Sequence, residues 1–154
     1  MDMNMERLAG TIVNALDNYL TEIKKNYSEE RFDYEIDHGF LGESERRYEV
    51  DVAGYYKNEY DENEQTKCVL LRFYIVKEYG QIQMTNIFLP AFMHYKGIGK
   101  KLISIVFTVA KKSNYDLFLV DMVNSFYRRM INRNALPCDG CVDAVQIIST
   151  TKLD

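Results

Sequence analysis

One change of apolar period constrains this chain more than anything else in it. From Gln81 to Leu89 the residues favour extended backbone, whereas from Ile98 the apolar positions Ile98, Leu102, Ile105, Val106 and Val109 recur at helical steps until about Ser113-Asn114. Between the two lies a glycine turn, Lys96-Gly97-Ile98-Gly99, with Lys100 and Lys101 just after it. A compact apolar run, Leu117-Phe118-Leu119-Val120, then supplies a further strand. Strand, turn, helix and strand in that order require a sheet with a helix packed on it.

The rest of the chain fits around that unit. Met5, Leu8, Ile12, Leu16, Tyr19, Leu20, Ile23 and Tyr27 follow one another at steps of mostly three and four, which predicts a long amphipathic helix. In a domain this small such a stripe packs on the sheet in preference to binding a partner. Phe32 to Ile36 reads as a short extended segment, and Gly39 and Gly42 as the loop after it. From Tyr48 to Tyr56 apolar and polar residues alternate as in a half-buried strand, and Glu59 to Glu64 reads as a solvated hairpin tip. Val69 to Val76 is almost continuously apolar, which predicts a strand buried on both faces. Ser125 to Asn134 suits a helix, Pro137 and Gly140 interrupt it, and Val142 to Ile148 reads as a closing strand. The expected fold is therefore α/β in the α+β sense, a mixed and mostly antiparallel sheet flanked by helices. No repeat or linker breaks the chain, so residues 1–154 are expected to form a single domain.

Charge and cysteine usage narrow the partners. With 19 Lys plus Arg against 23 Asp plus Glu, the net charge of -4 opposes broad electrostatic binding to nucleic acid and suits an amine-bearing partner better. The mixed-charge start lacks the blocks of an export signal and no run reaches membrane-span length, so a cytoplasmic protein with no membrane association is expected. Three cysteines are an odd number, which points to reduced thiols. Cys138 and Cys141 are separated by two residues in a turn that precedes a strand, the wrong context for a thioredoxin-type pair, and only Cys68, His38 and His94 remain as distant further ligands. A plain turn is expected there, and no metal site anywhere.

The glycine turn carries the chemistry. Residues without Cβ let the backbone approach an anion closely, and the unpaired N–H groups of a helix start point at it. Lys96, Lys100 and Lys101 add positive charge. A Walker loop needs Gly at the position of His94 and Ser or Thr at that of Lys101, and a dinucleotide fingerprint needs a third Gly at the position of Leu102. Neither motif is present.

The segment His94-Tyr95-Lys96-Gly97-Ile98-Gly99 resembles the coenzyme-binding motif of the GNAT acyltransferase superfamily, which runs Gln or Arg, two residues, Gly, one residue, Gly or Ala. His94 departs from the first position. The resemblance implies a GNAT-like acyl-coenzyme A acyltransferase fold. It also implies that the turn, from His94, Tyr95 and Lys96 through Gly97, Ile98, Gly99 and Lys100, holds the coenzyme's pyrophosphate largely by backbone N–H groups. Ile87, Phe88 and Leu89 would pair with the pantetheine arm. In this superfamily the following strand splays from its neighbour to make room for the thioester, and the next helix often carries a tyrosine that protonates the leaving thiolate. Val120 to Met130 resembles that strand end and helix start, with Tyr127 as the acid; an alignment anchored on Asn124 would put Ile131 there instead. Asn134 stands where the family usually has Gly, and Asn is the next residue of choice for a left-handed helix cap.

The activity so implied is transfer of acetyl from acetyl-CoA, as co-substrate, directly to a primary amine of a small molecule, peptide or protein. A homodimer is left open by the sequence. Deprotonation of the amine needs a base. The strand Gln81 to Leu89 has no carboxylate, which leaves Asp121, Glu49, Asp51 and Glu35, each acting through water. The rival expectation is a non-catalytic binding or regulatory module of the same fold.

Overall fold

The computed structural model describes residues 3–43, 46–58 and 64–154. Helix α1 (Met3–Lys24) places Met5, Leu8, Ile12, Leu16 and Leu20 in the core, with Tyr19 and Ile23 packed at its margin. The helix stops before Tyr27, because the chain tightens through Asn26 N–H to Ile23 carbonyl. Tyr27 still joins the core from the turn beyond, where its ring meets Phe32 and Phe92 edge-on.

Strands β1 (Phe32–Phe40), β2 (Arg47–Tyr56), β3 (Thr66–Val76) and β4 (Gln81–Ile87) form an antiparallel succession. The alternation expected for β2 is present, with Tyr48, Val50, Val52 and Tyr56 buried and Glu49, Asp51, Ala53 and Tyr55 half-buried. Two expectations are corrected here. β1 is nine residues long and runs through Gly39, because it pairs with β2 as far as Phe40 opposite Tyr48. β3 is buried on both faces only at Leu70-Leu71 and Ile75-Val76; between them Phe73 is in the core while Arg72 and Tyr74 are half-buried on the reverse side. Arg72 sits there because Asp51, its neighbour across the ladder, takes two guanidinium N–H donors at 2.6 and 3.0 Å. The acidic stretch expected as a hairpin tip lies, as far as residue 63, outside the described residues.

A 3₁₀ turn (Lys77–Tyr79) with left-handed Gly80 returns the chain into β4. Helix α2 (Ile98–Lys112) then crosses back so that β5 (Asp116–Leu119) lies parallel to β4. Ile98, Leu102, Ile103, Val106 and Ala110 of α2 are buried, and α2 packs against α1. Helix α3 (Asn124–Asn132) follows, ending at left-handed Asn134 with φ 69° as the sequence anticipates. The closing strand is shorter than expected, β7 (Val145–Ile147), and it is flanked by an unanticipated two-residue strand, β6 (Leu136–Pro137). Pro137 breaks nothing there, because β6 is the outermost strand and its outer edge needs no N–H donor. Among the described residues seven strands run in the order β1-β2-β3-β4-β5-β7-β6, a mixed and mostly antiparallel sheet in an α/β fold.

Candidate functional site

The site begins where β4 and β5 part. Their parallel ladder runs from Gln81 opposite Asp116 to Met84 opposite Leu119, and its last bond is Val120 N–H to the Met84 carbonyl at 2.9 Å. Beyond it, β4 stays with β3, Ile87 opposite Leu71 and Phe88 N–H on the Leu70 carbonyl. The other strand turns away at Asp121, whose φ is 55°. β4 also carries one extra residue at this level, since Arg72 faces Asn86 while Phe73 faces Met84, leaving Thr85 as a bulge. A cleft of about 200 Å³ opens between the diverging walls. Thr85, Asn86, Ile87 and Phe88 line one side, Asp121, Met122 and Val123 the other, and Phe126 of α3 completes it.

The glycine turn follows the first wall. Pro90 opens a 3₁₀ turn (Ala91–Met93) anchored by fully buried Met93. The His94 ring turns back, Nε2 lying 2.7 Å from the Leu89 carbonyl, which ties the turn to the end of the strand. Tyr95 and Gly97 both have positive φ, 63° and 75°, and the helix starts with Lys101 N–H on the Gly97 carbonyl at 3.0 Å. Among the described residues no side chain caps the first N–H groups of α2, which leaves them open to an external acceptor. A Cβ at Gly99 would sit 3.6 Å from Leu89 Cδ1 and 3.8 Å from Ile87 Cδ1, so the turn lies directly on the strand that lines the cleft.

The sequence-derived residues therefore divide. Ile87 and Phe88 line the cleft, and Phe88 is exposed although apolar. Leu89 supports the turn. Tyr95, Lys96 and Gly97 make the turn itself, while Ile98, Gly99 and Lys100 form the first residues of the helix. Ile98 is buried, so it can offer a ligand only its backbone. The lysines are already engaged: Lys96 Nζ donates to the Tyr27 hydroxyl at 3.1 Å and lies over its ring, and Lys100 Nζ donates to the Asp154 carbonyl at 3.1 Å. Tyr127 is one helical position past the cleft residue Phe126; it packs on the core, and its hydroxyl bonds no described residue.

Of the four carboxylates considered as a base, Asp121 lines the cleft. Asp51 is paired with Arg72, Glu35 accepts the Tyr55 hydroxyl, and Glu49 lies beside Tyr74, whose hydroxyl pKa is raised by burial and then by that carboxylate. The sequence reading missed the roles of Thr85, Asn86, Met122, Val123 and Phe126, because a bulge and a strand divergence leave no local pattern. The one signal at hand was positional: each lies within two residues of one already singled out. Among the described residues no His, Cys, Asp or Glu cluster capable of holding a metal is found, and no helix is long and apolar enough to cross a membrane.

Comparison with known proteins finds no matching family model and no matching curated protein. Among solved structures the chain is similar to the crystal structure of a "putative acetyltransferase" from Agrobacterium tumefaciens, at 14% identity and a TM-score of 0.39, covering 95% of this chain and 90% of that one.

Proposed function

We propose that this chain is a GNAT-type N-acyltransferase that moves acetyl from acetyl-CoA directly to a primary amine. The observation that carries the proposal is the junction of the two halves of the site: the cleft where parallel strands part opens against a glycine turn that leads, uncapped, into α2. An acyl-coenzyme A needs that pair, a narrow cleft for pantetheine and thioester and a field of N–H donors for pyrophosphate.

In the proposed reaction the amine nitrogen attacks the thioester carbonyl carbon, the C–N bond forms, and the C–S bond breaks as the thiolate leaves. Holding the two reactants together supplies much of the rate, and backbone donors near the Thr85 bulge would stabilise the developing oxyanion. Asp121, directly or through water, takes the proton lost by the amine, and Tyr127 gives one to the thiolate. The acceptor is a small molecule, peptide or protein amine, the setting is cytoplasmic, and either a monomer or a homodimer can house the site. The reading includes neither nucleic acid nor a membrane as partner, in keeping with the net charge of -4.

A second reading has its own support. Phe126 rather than Tyr127 faces the cleft, and the His94 ring is spent on the Leu89 carbonyl. A module that binds the coenzyme without turning it over would tolerate both. Free-thiol release from acetyl-CoA, followed over a panel of amines, separates the two. The enzyme reading expects amine-dependent release, with Tyr127→Phe and Asp121→Asn each lowering kcat by about 10²-fold or more. Full turnover in Tyr127→Phe removes the acid assignment; binding of coenzyme without any release supports the module.

A further inference from the structure

The β6–β7 loop holds two thiols that the site does not use. Cys138 and Cys141 occupy the first and last positions of a hydrogen-bonded turn, Cys141 N–H donating to the Cys138 carbonyl at 3.2 Å. Gly140 takes φ 73° while Asp139 stays outside the positive-φ region, which is the type II arrangement. Such a turn holds its end Cα atoms within about 7 Å, and disulfides span about 4.4–6.8 Å. Cys138 N–H is also tied to the Ala144 carbonyl across the loop, so the first thiol sits on fixed backbone. The plain turn expected from sequence thus also holds the two Cα atoms at a separation a disulfide can span.

We propose that Cys138 and Cys141 are a redox-active dithiol that closes to an intra-turn disulfide by exchange with a low-molecular-weight disulfide. Exposure sets the order of events. Cys141 is exposed and Cys138 half-buried, so the Cys141 thiolate attacks a sulfur of the small disulfide, whose S–S bond breaks and releases one thiol. The Cys138 thiolate then attacks Cys141 Sγ, the mixed disulfide breaks, and a second small thiol leaves. Two protein thiols are oxidised and one small disulfide is reduced to two thiols. Burial, with Cys141 and Asp139 beside it, raises the Cys138 thiol pKa. A high-pKa thiol is a poor leaving group, so the closed form is expected to open slowly, as a latch rather than a catalytic pair. Cys68, half-buried on β3 with its thiol also pushed up by burial, has no cysteine in its own turn and stays outside the exchange.

Closure has a mechanical consequence. Asp143, in the same loop, accepts the N–H of Met122 at 2.9 Å, and Met122 lines the cleft. Pinning the loop at one end therefore steadies the cleft wall at the other. The inference does not depend on the acyl-transfer reading.

The test is oxidation of the purified full chain with glutathione disulfide, followed by alkylation, unfolding and mass spectrometry. The expected product lacks two hydrogen atoms and leaves Cys68 as the one alkylatable thiol. Cys138→Ser is expected to trap glutathione on Cys141, and Cys141→Ser to react more slowly by on the order of tenfold. Cys68→Ser is expected to close as the wild type does. A stable glutathione adduct on the wild type, or three alkylatable thiols after oxidation, overturns the proposal. Amide exchange at Met122 should slow in the oxidised chain, and unchanged exchange there overturns the link to the cleft.

Discussion

Gly97 and Tyr95 share a backbone region that suits only one of them. At φ 75° an alanine in place of Gly97 would meet no neighbour within 4 Å, so its cost is purely conformational, about 1–2 kcal/mol. Gly99 is in helix, and an added methyl there would find only ordinary van der Waals distances to Leu89 and Ile87. Gly97→Ala is therefore expected to lower the melting temperature by several degrees and Gly99→Ala to leave it nearly unchanged, as thermal unfolding of the two variants would show. Asp33 offers a pH test at the same scale. Its carboxyl pKa is lowered chiefly by the hydrogen bond from Lys24 Nζ, at 2.7 Å. A depressed carboxylate pKa stabilises the fold above the unfolded value and loses that contribution as pH falls through the folded one. The melting difference between wild type and Asp33→Asn should be present at neutral pH and shrink below the ordinary carboxylate range; it should be small, since the pair is partly exposed.

At the scale of elements, the tightest constraint lies where β2 crosses β3. A Cβ on Gly54 would come within 2.7 Å of Leu70 Cγ and 3.1 Å of Cys68 Sγ, and Leu70 is fully buried with no room to retreat. Gly54→Ala is expected to destabilise the protein by about 1–3 kcal/mol, read from the shift of a urea unfolding midpoint at unchanged slope. Elements with a strong period were legible beforehand: the α1 stripe from Met5 to Leu20, the alternation of β2, and α2 from Ile98. What escaped reading depended on partners. The run Val69 to Val76 reads as almost continuously apolar, and the place of Arg72 within it follows only from Asp51 opposite, just as Leu136-Pro137 is a strand only because β7 offers an edge. The same holds at the site. The glycine turn could be located to the residue, yet whether Phe126 or Tyr127 faces the cleft depends on α3 beginning at Asn124, a boundary that composition does not fix.

For the molecule as a whole, the α2 crossover is what joins binding to structure. A core cluster runs from α1 through the sheet to Leu102, Ile103 and Val106, so the turn that precedes α2 leads directly into residues of that core. A ligand on that turn should therefore stabilise the entire fold by mass action rather than ordering a loop alone. The decisive measurement is a calorimetric titration of the wild type, Gly97→Ala and Gly99→Ala with coenzyme A. A saturable one-site isotherm for the wild type is expected, retained in Gly99→Ala and weakened by about tenfold in Gly97→Ala, whose turn cannot relax into place without strain. No heat of binding to the wild type at millimolar coenzyme A would contradict the account.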